Sequence, residues 1–211
     1  AVFPSVDELE ERYQAILKWL NLPENEISGV KNLLNAPHFL GVLPQIPTGD
    51  HGAILESLIE AAGRSYLNQF PDRRFNNYRR GTLAGQVRIA QGVRYHEFVK
   101  AVTEWTVVYV SFRACMQGFS ILADREQETI MPNRFILSGS WDTAADIIGY
   151  PDILARDYYT PGLDYAANLW GSADYSLAFK AFGGDLRFNH RSLDANGSYS
   201  GGLILLGPAC R

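Results

Sequence analysis

The sequence predicts an all-α protein: a single multi-helix domain with an irregular Gly/Pro-rich C-terminal part. Three observations predict it. Apolar residues recur at three- and four-residue spacing through most of the first 120 positions. Charged residues fill the positions between them. Beyond Met131, Gly and Pro cut the chain into pieces that suit short helices. The division that follows is residues 1–50 as N-terminal helices and a connector, 51–190 as the helical body, and 191–211 as a Gly-rich C-terminal arm.

The first helix is predicted from Ser5, which stands three residues before Glu8 at capping-box spacing. Val6, Leu9, Tyr13, Ile16, Leu17 and Leu20 form its apolar stripe, and Pro23 marks its end. Glu26 to Leu34 suits a second short helix, closed by Asn35 and Pro37. Residues 38–50 hold Gly41, Pro44, Pro47 and Gly49 and suit an irregular connector. Ile54, Leu55, Leu58, Ile59 and Ala62 then give a helical face ending near Phe70, before Pro71. From Thr82 the helical pattern resumes, with Val87, Phe98, Val99, Val102 and Trp105 as its buried stripe. Thr106 to Val110 is β-branched enough for a strand but lacks a turn signal before it, so the helix is carried to about Ala123. Thr143 to Ile148 and Asp164 to Trp170 are the short helices of the remainder, and the stretch from Asn196 to Pro208 is Gly-rich and uncharged.

With 211 residues, 46% of them hydrophobic, the chain can bury a sizeable core and is not disordered as a whole. The cysteines Cys115 and Cys210 imply no disulfide framework and favour a reducing compartment. Asn196-Gly197-Ser198 fits a glycosylation sequon that matters only in a secreted protein. Ala1 at the start suggests processing, and the acidic amphipathic segment after it is unlike a signal peptide. The most apolar run, Trp105 to Phe112, is stopped by Arg113 well short of the roughly 20 residues a bilayer needs. No membrane insertion is expected.

The familiar catalytic spacings are missing: no phosphate loop ending in Lys-Ser or Lys-Thr, and no paired cysteines of a zinc site. His96-Glu97 begins like a zinc-protease helix, but no second His follows one turn later. His38, His51, His96 and His190 are scattered. Asp142 with Asp146, and Asp152 with Asp157, could be imagined as acid and base pairs, but carboxylates at such spacing are usually solvated helix faces or caps. The expectation is therefore a protein that is not an enzyme, with no catalytic residue, metal or cofactor. One charge feature stands out: Arg73, Arg74, Arg79, Arg80, Arg88 and Arg94 lie in a stretch free of acid between Asp72 and Glu97, in a chain of net charge −4. Phe75, Tyr78 and Tyr95 interleave with them, and guanidinium beside aromatic rings suits phosphates, bases or acidic protein surfaces.

Leu58 to Phe112 resembles the linker domain of phycobilisome linker polypeptides. Ala61-Ala62, Leu83 and Gly92 lead to Val93-Arg94-Tyr95-His96-Glu97-Phe98-Val99-Lys100-Ala101-Val102, similar to that family's central run, with Phe112 after it. Ser172-Ala173-Asp174-Tyr175 with Phe179 is similar to its Ser-Asp-Glu-Tyr motif. Val108 stands where the family has Tyr and Lys180 where it has Gly, Met131 to Tyr159 does not follow the family, and the acidic charge marks a diverged member. The resemblance implies a non-enzymatic assembly protein that joins phycobiliprotein trimers or hexamers and neighbouring linkers and tunes energy transfer in a light-harvesting antenna. It implies a place on the stromal or cytoplasmic face of a thylakoid membrane, in a chloroplast or cyanobacterium. Arg73, Arg74, Arg79, Arg80, Arg88, Arg94 and Phe98 become the partner-binding residues, and neither Cys115 nor Cys210 is expected to carry a bilin. The alternative is an RNA-binding coat protein of a helical rod-shaped virus, which Phe70-Pro71-Asp72, the arginines after it and the run from Ser200 to Ala209 resemble.

Overall fold

The computed structural model describes residues 5–20 and 30–207, and it overturns the all-α expectation. The chain is mixed α/β, 36% helix and 29% strand, and an eight-stranded sheet organises it. In chain order the elements are α1 (Val6–Leu20), α2 (Lys31–Leu34), β1 (Phe39–Leu43), α3 (His51–Gln69), β2 (Arg74–Asn77), β3 (Val87–Ile89), α4 (Tyr95–Glu104) and β4 (Val107–Gln117). They continue as α5 (Ile121–Ile130), β5 (Phe135–Leu137), α6 (Ser140–Gly149), α7 (Pro151–Leu154), β6 (Gly162–Asp164), β7 (Asn168–Trp170), β8 (Tyr175–Phe182), β9 (Asp185–Ser192) and β10 (Tyr199–Leu206). The strands lie in the order β1-β4-β10-β6-β8-β9-β2, with β5 also paired to β10, while β3 and β7 form a separate pair. β10 runs parallel to β6 and β2 parallel to β9; the other contacts are antiparallel.

Helices with a polar face are where the sequence says. α1 opens on the expected capping box: the Ser5 amide donates to Glu8 Oε2 at 2.7 Å and the Glu8 amide to Ser5 Oγ at 3.2 Å. α3 starts at Asp50, whose carboxylate accepts from the Ala53 amide at 2.7 Å, and buries Leu55, Ile59, Ala62 and Tyr66. α6 covers the predicted helix Thr143 to Ile148, while the helix predicted from Thr82 forms before β4 only over Tyr95–Glu104, as α4, and its earlier part holds β3. Of the expected helix Glu26 to Leu34, only the end is described, and it holds α2. Pro23 and Cys210 lie outside the described residues.

The strands are where the helical reading fails, and the cause is burial on both faces. Thr106 to Ala123, predicted helical, is the eleven-residue β4 followed by the start of α5; Val107 to Phe112 are all buried, so the run shows no alternation. Asp164 to Trp170 is split between β6 and β7, and the expected connector 38–50 contains β1. Residues assigned to a C-terminal arm hold β10, which lies between β4 and β6 inside the sheet. Gly201 and Gly202 fit there because their neighbours come close: a Cβ on Gly201 would lie 2.1 Å from Asp124 Oδ2, and one on Gly202 3.0 Å from the Phe112 carbonyl.

The core lies between the sheet and α3, α4 and α6. Phe98 of α4 is fully buried, stacked on Tyr95 at 5.5 Å and edge-on to Tyr109 of β4 at 5.4 Å. α3 meets β2 so closely that a Cβ on Gly63 would lie 2.1 Å from the Phe75 ring. Between α6 and β4 sits an ionic cluster: buried Arg113 pairs with Asp142 Oδ2 at 2.7 Å and with Asp146, and donates to Thr143 Oγ1 at 2.8 Å. Tyr109 and Ser111 donate to Asp146 at 2.8 and 2.7 Å. Asp142 also caps α6, accepting from the Gly139 amide at 2.9 Å. These carboxylates therefore hold a buried cation, and neither faces solvent. No helix among the described residues is long and apolar enough to cross a membrane.

Candidate functional site

The arrangement closest to catalytic machinery is His51 Nε2 at 2.7 Å from Ser140 Oγ, at the start of α6. The His51 ring stacks on Trp141 at 4.5 Å, and burial depresses its pKa to about 4, which leaves the imidazole neutral at pH 7. A serine nucleophile needs free amides to stabilise the oxyanion. Here they are consumed: Gly139 N–H donates to Asp142, Ser140 N–H to Asn168 Oδ1 at 2.7 Å, and Trp141 N–H to the Tyr95 hydroxyl at 2.9 Å. Ser140 is itself fully buried. The constellation anchors the helix start. Because His51 is held neutral, its contribution to stability is full above pH 6.5 and is lost as pH falls through about 4. Urea unfolding should show this loss, up to about 3 kcal/mol, in the wild type and not in His51→Gln.

Other chemistry-bearing side chains are occupied. Cys115 has its thiol pushed up to about 12 by burial and points Sγ at the Phe112 carbonyl. His96 contacts the Val93 carbonyl and His38 that of Ala36. Asp157 closes an exposed turn, accepting from the Tyr159 and Thr160 amides and from Arg156. Among the described residues no group of three or more His, Cys, Asp or Glu could hold a metal ion.

The open site is on the sheet. Gly183, at φ +57°, turns β8 into β9, and the two-residue period of the strands then divides their side chains. Leu186 and Phe188 go to the core, while Arg187, Asn189 and Arg191 go to the other face. Register places Ala178 opposite Asn189, Lys180 opposite Arg187 and Phe182 opposite Asp185, so β8 lines the same face. Tyr78, whose amide donates to the Phe188 carbonyl at 3.0 Å, and Tyr199 of β10 complete a cup of about 220 Å³.

Cation and ring are paired around this cup. The Arg187 guanidinium lies 4.7 Å from the Phe182 ring centre, that of Arg191 4.5 Å from Tyr199, and Lys180 Nζ 5.4 Å from Tyr158. Lys180 donates to the Tyr158 and Thr160 carbonyls at 3.0 and 2.7 Å, and burial lowers its pKa. Arg191 is tied to Asp164 at 2.9 Å. Arg187 is the least committed: Asp185 is 3.5 Å away, and its buried Nε has no partner among the described residues. Arg79 lies over Trp170 at 5.0 Å and, after burial, further lowers the pKa of His190. Arg74, Lys180, Arg187 and Arg191 thus face Asp164 and Asp185, an excess of positive charge in an acidic chain.

Of the residues predicted to meet a partner, only Arg74 reaches this face; Arg79 lies on the Trp170 and His190 side. Arg74 pairs with Asp185 at 3.0 Å at the edge of the face. Arg73 lies over Phe70 and donates to the Arg156 carbonyl; Arg80 pairs with Glu60 at 3.0 Å; Arg88 donates to the Gly171 carbonyl at 3.0 Å. Arg94 is bound to Glu128 and to the Met131 carbonyl, and Phe98 belongs to the core and offers a partner nothing. Lys180, Arg187 and Arg191 were missed, although the alternation of Leu186 and Phe188 with Arg187, Asn189 and Arg191 is a period-two signal once a strand is considered. Comparison of the chain with protein-family models, with curated proteins and with solved structures finds no match.

Proposed function

We propose that the protein is a non-catalytic binder of single-stranded nucleic acid, which it takes on the β8–β9–β2 face. The observation that carries this reading is the pairing of guanidinium with aromatic ring around an open cup, with Arg187 Nε buried and without a hydrogen-bond partner among the described residues. Such surfaces hold phosphates by charge and bases by stacking, without reading sequence. Exposed Tyr158 and Tyr159 extend the stacking area beyond the cup. The charge is local, so binding depends on the patch and not on the net charge of −4.

Fluorescence anisotropy with a labelled twelve-nucleotide oligothymidylate tests it. Affinity should fall with salt, each phosphate contact adding about 0.7 to the slope of log K against log salt. Arg187→Glu should reduce that slope, and Tyr78→Ala should cost about 1–3 kcal/mol of binding if a base stacks there. Absence of binding at low salt, or binding indifferent to Arg187→Glu, refutes the reading. The pigment-linker reading retains exposed Arg74, Arg80 and Arg88 as its support; copurification with visible pigments, in place of a band at 260 nm, is the result that favours it.

A further inference from the structure

We infer that Asp164 and Asp124 set the affinity of the cup by coupling ligand binding to uptake of a proton, an inference that rests on the anion-binding reading above. Arg191 is the link. It lines the cup and lies over Tyr199, yet its Nη1 donates to both oxygens of Asp164, at 2.9 and 3.2 Å. Asp164 is 1% exposed and Asp124 fully buried, and neither carboxylate oxygen of Asp124 has a hydrogen-bond partner among the described residues. Asp124 comes from α5 and sits against Gly201 of β10, where any larger residue would displace it.

The charged and titratable groups around the two carboxylates are few. Arg191 faces Asp164 from β9, Tyr199 stands beside it on β10, Arg125 flanks Asp124 on α5, and Cys115 approaches from β4. Arg125 spends its donors on the Ala166 and Asn168 carbonyls at 2.9 and 3.1 Å. Among the described residues Arg191 is thus the one guanidinium that acts on both buried acids, with Arg125 adding to it at Asp124, and the pair titrates as a unit. Burial raises both to about 7, and the charge of Asp164 raises Asp124 further, while Arg191 opposes the rise at both and Arg125 at Asp124.

Consider an anion entering the cup. With the pair ionised, Asp164 neutralises Arg191 and repels the newcomer. With the pair protonated, Arg191 keeps its full charge for the ligand. Affinity must therefore rise as pH falls through about 7, and by linkage the bound anion raises the pKa of the pair and draws in a proton. A phosphodiester strand is the suitable probe because its own charge does not change in this range.

The experiment is oligothymidylate binding to the full chain from pH 8 to pH 5.5, with calorimetry in two buffers of different ionisation enthalpy to count protons. Affinity should rise about fivefold to tenfold around pH 7, the effect of removing one nearby charge, with proton uptake on binding. Asp124→Asn, close to isosteric, should move the transition to lower pH by relieving Asp164, and Arg191→Gln should flatten it. His190→Gln should leave the part near pH 7 in place, since the pKa of His190 is lowered from its ordinary value. Binding with no proton uptake and a flat profile overturns the coupling while leaving the binding reading intact. A profile that His190→Gln removes and Asp124→Asn does not move also overturns it. No binding at any pH overturns the reading of the cup and the coupling with it.

Discussion

Arg113→Ala is expected to destabilise the fold by about 3–5 kcal/mol, because it leaves buried carboxylates without their cation. Asp142 and Asp146 are fully buried, and burial already raises the pKa of Asp146 despite the guanidinium beside it. Removing Arg113 leaves the Coulombic attraction gone and the desolvation in place, so at least one carboxylate must take a proton to stay inside. Urea denaturation at pH 7 measures the loss, which should shrink at pH 5 as that proton becomes easier to bind. Replacing all three charged residues by apolar ones of similar volume should cost far less than Arg113→Ala alone, since a buried pair is worth little net of its desolvation. A mild Arg113→Ala, within about 1 kcal/mol of wild type, contradicts this account of the α6–β4 contact.

Phe98→Ala should cost a similar amount, about 3–5 kcal/mol, through lost burial and the cavity left between Tyr95 and Tyr109. Both neighbouring rings are themselves fully buried and tied by their hydroxyls, Tyr95 to the Trp141 amide and Tyr109 to Asp146, so they cannot collapse into the space. Thermal unfolding distinguishes this role from the partner contact that the linker resemblance implies. A residue that touched only a partner would leave the melting temperature of the isolated chain where it was.

The helices were legible because their signals are local. The Ser5 capping box and the stripe Leu55, Ile59, Ala62 each lie within a few turns, and both form as read. The sheet was not legible for an equally physical reason. A strand covered on both faces, such as β4, presents a continuous apolar run that looks like a buried helix, and the register that identifies it comes from β1 and β10, far away in sequence. Asp142 and Asp146 look like a solvated helix face until Arg113, from another element, is placed between them.

By itself, the sequence determined the start of the first helix at Ser5, the absence of the familiar phosphate-loop and zinc spacings, and a stretch of arginines among aromatic rings. Only the tertiary structure decided which cations share a surface. Arg187 and Arg191 lie more than a hundred residues from Arg74, and the parallel pairing of β2 with β9 brings them to one face. Backbone hydrogen bonds between distant strands made that choice, and no local pattern encodes them.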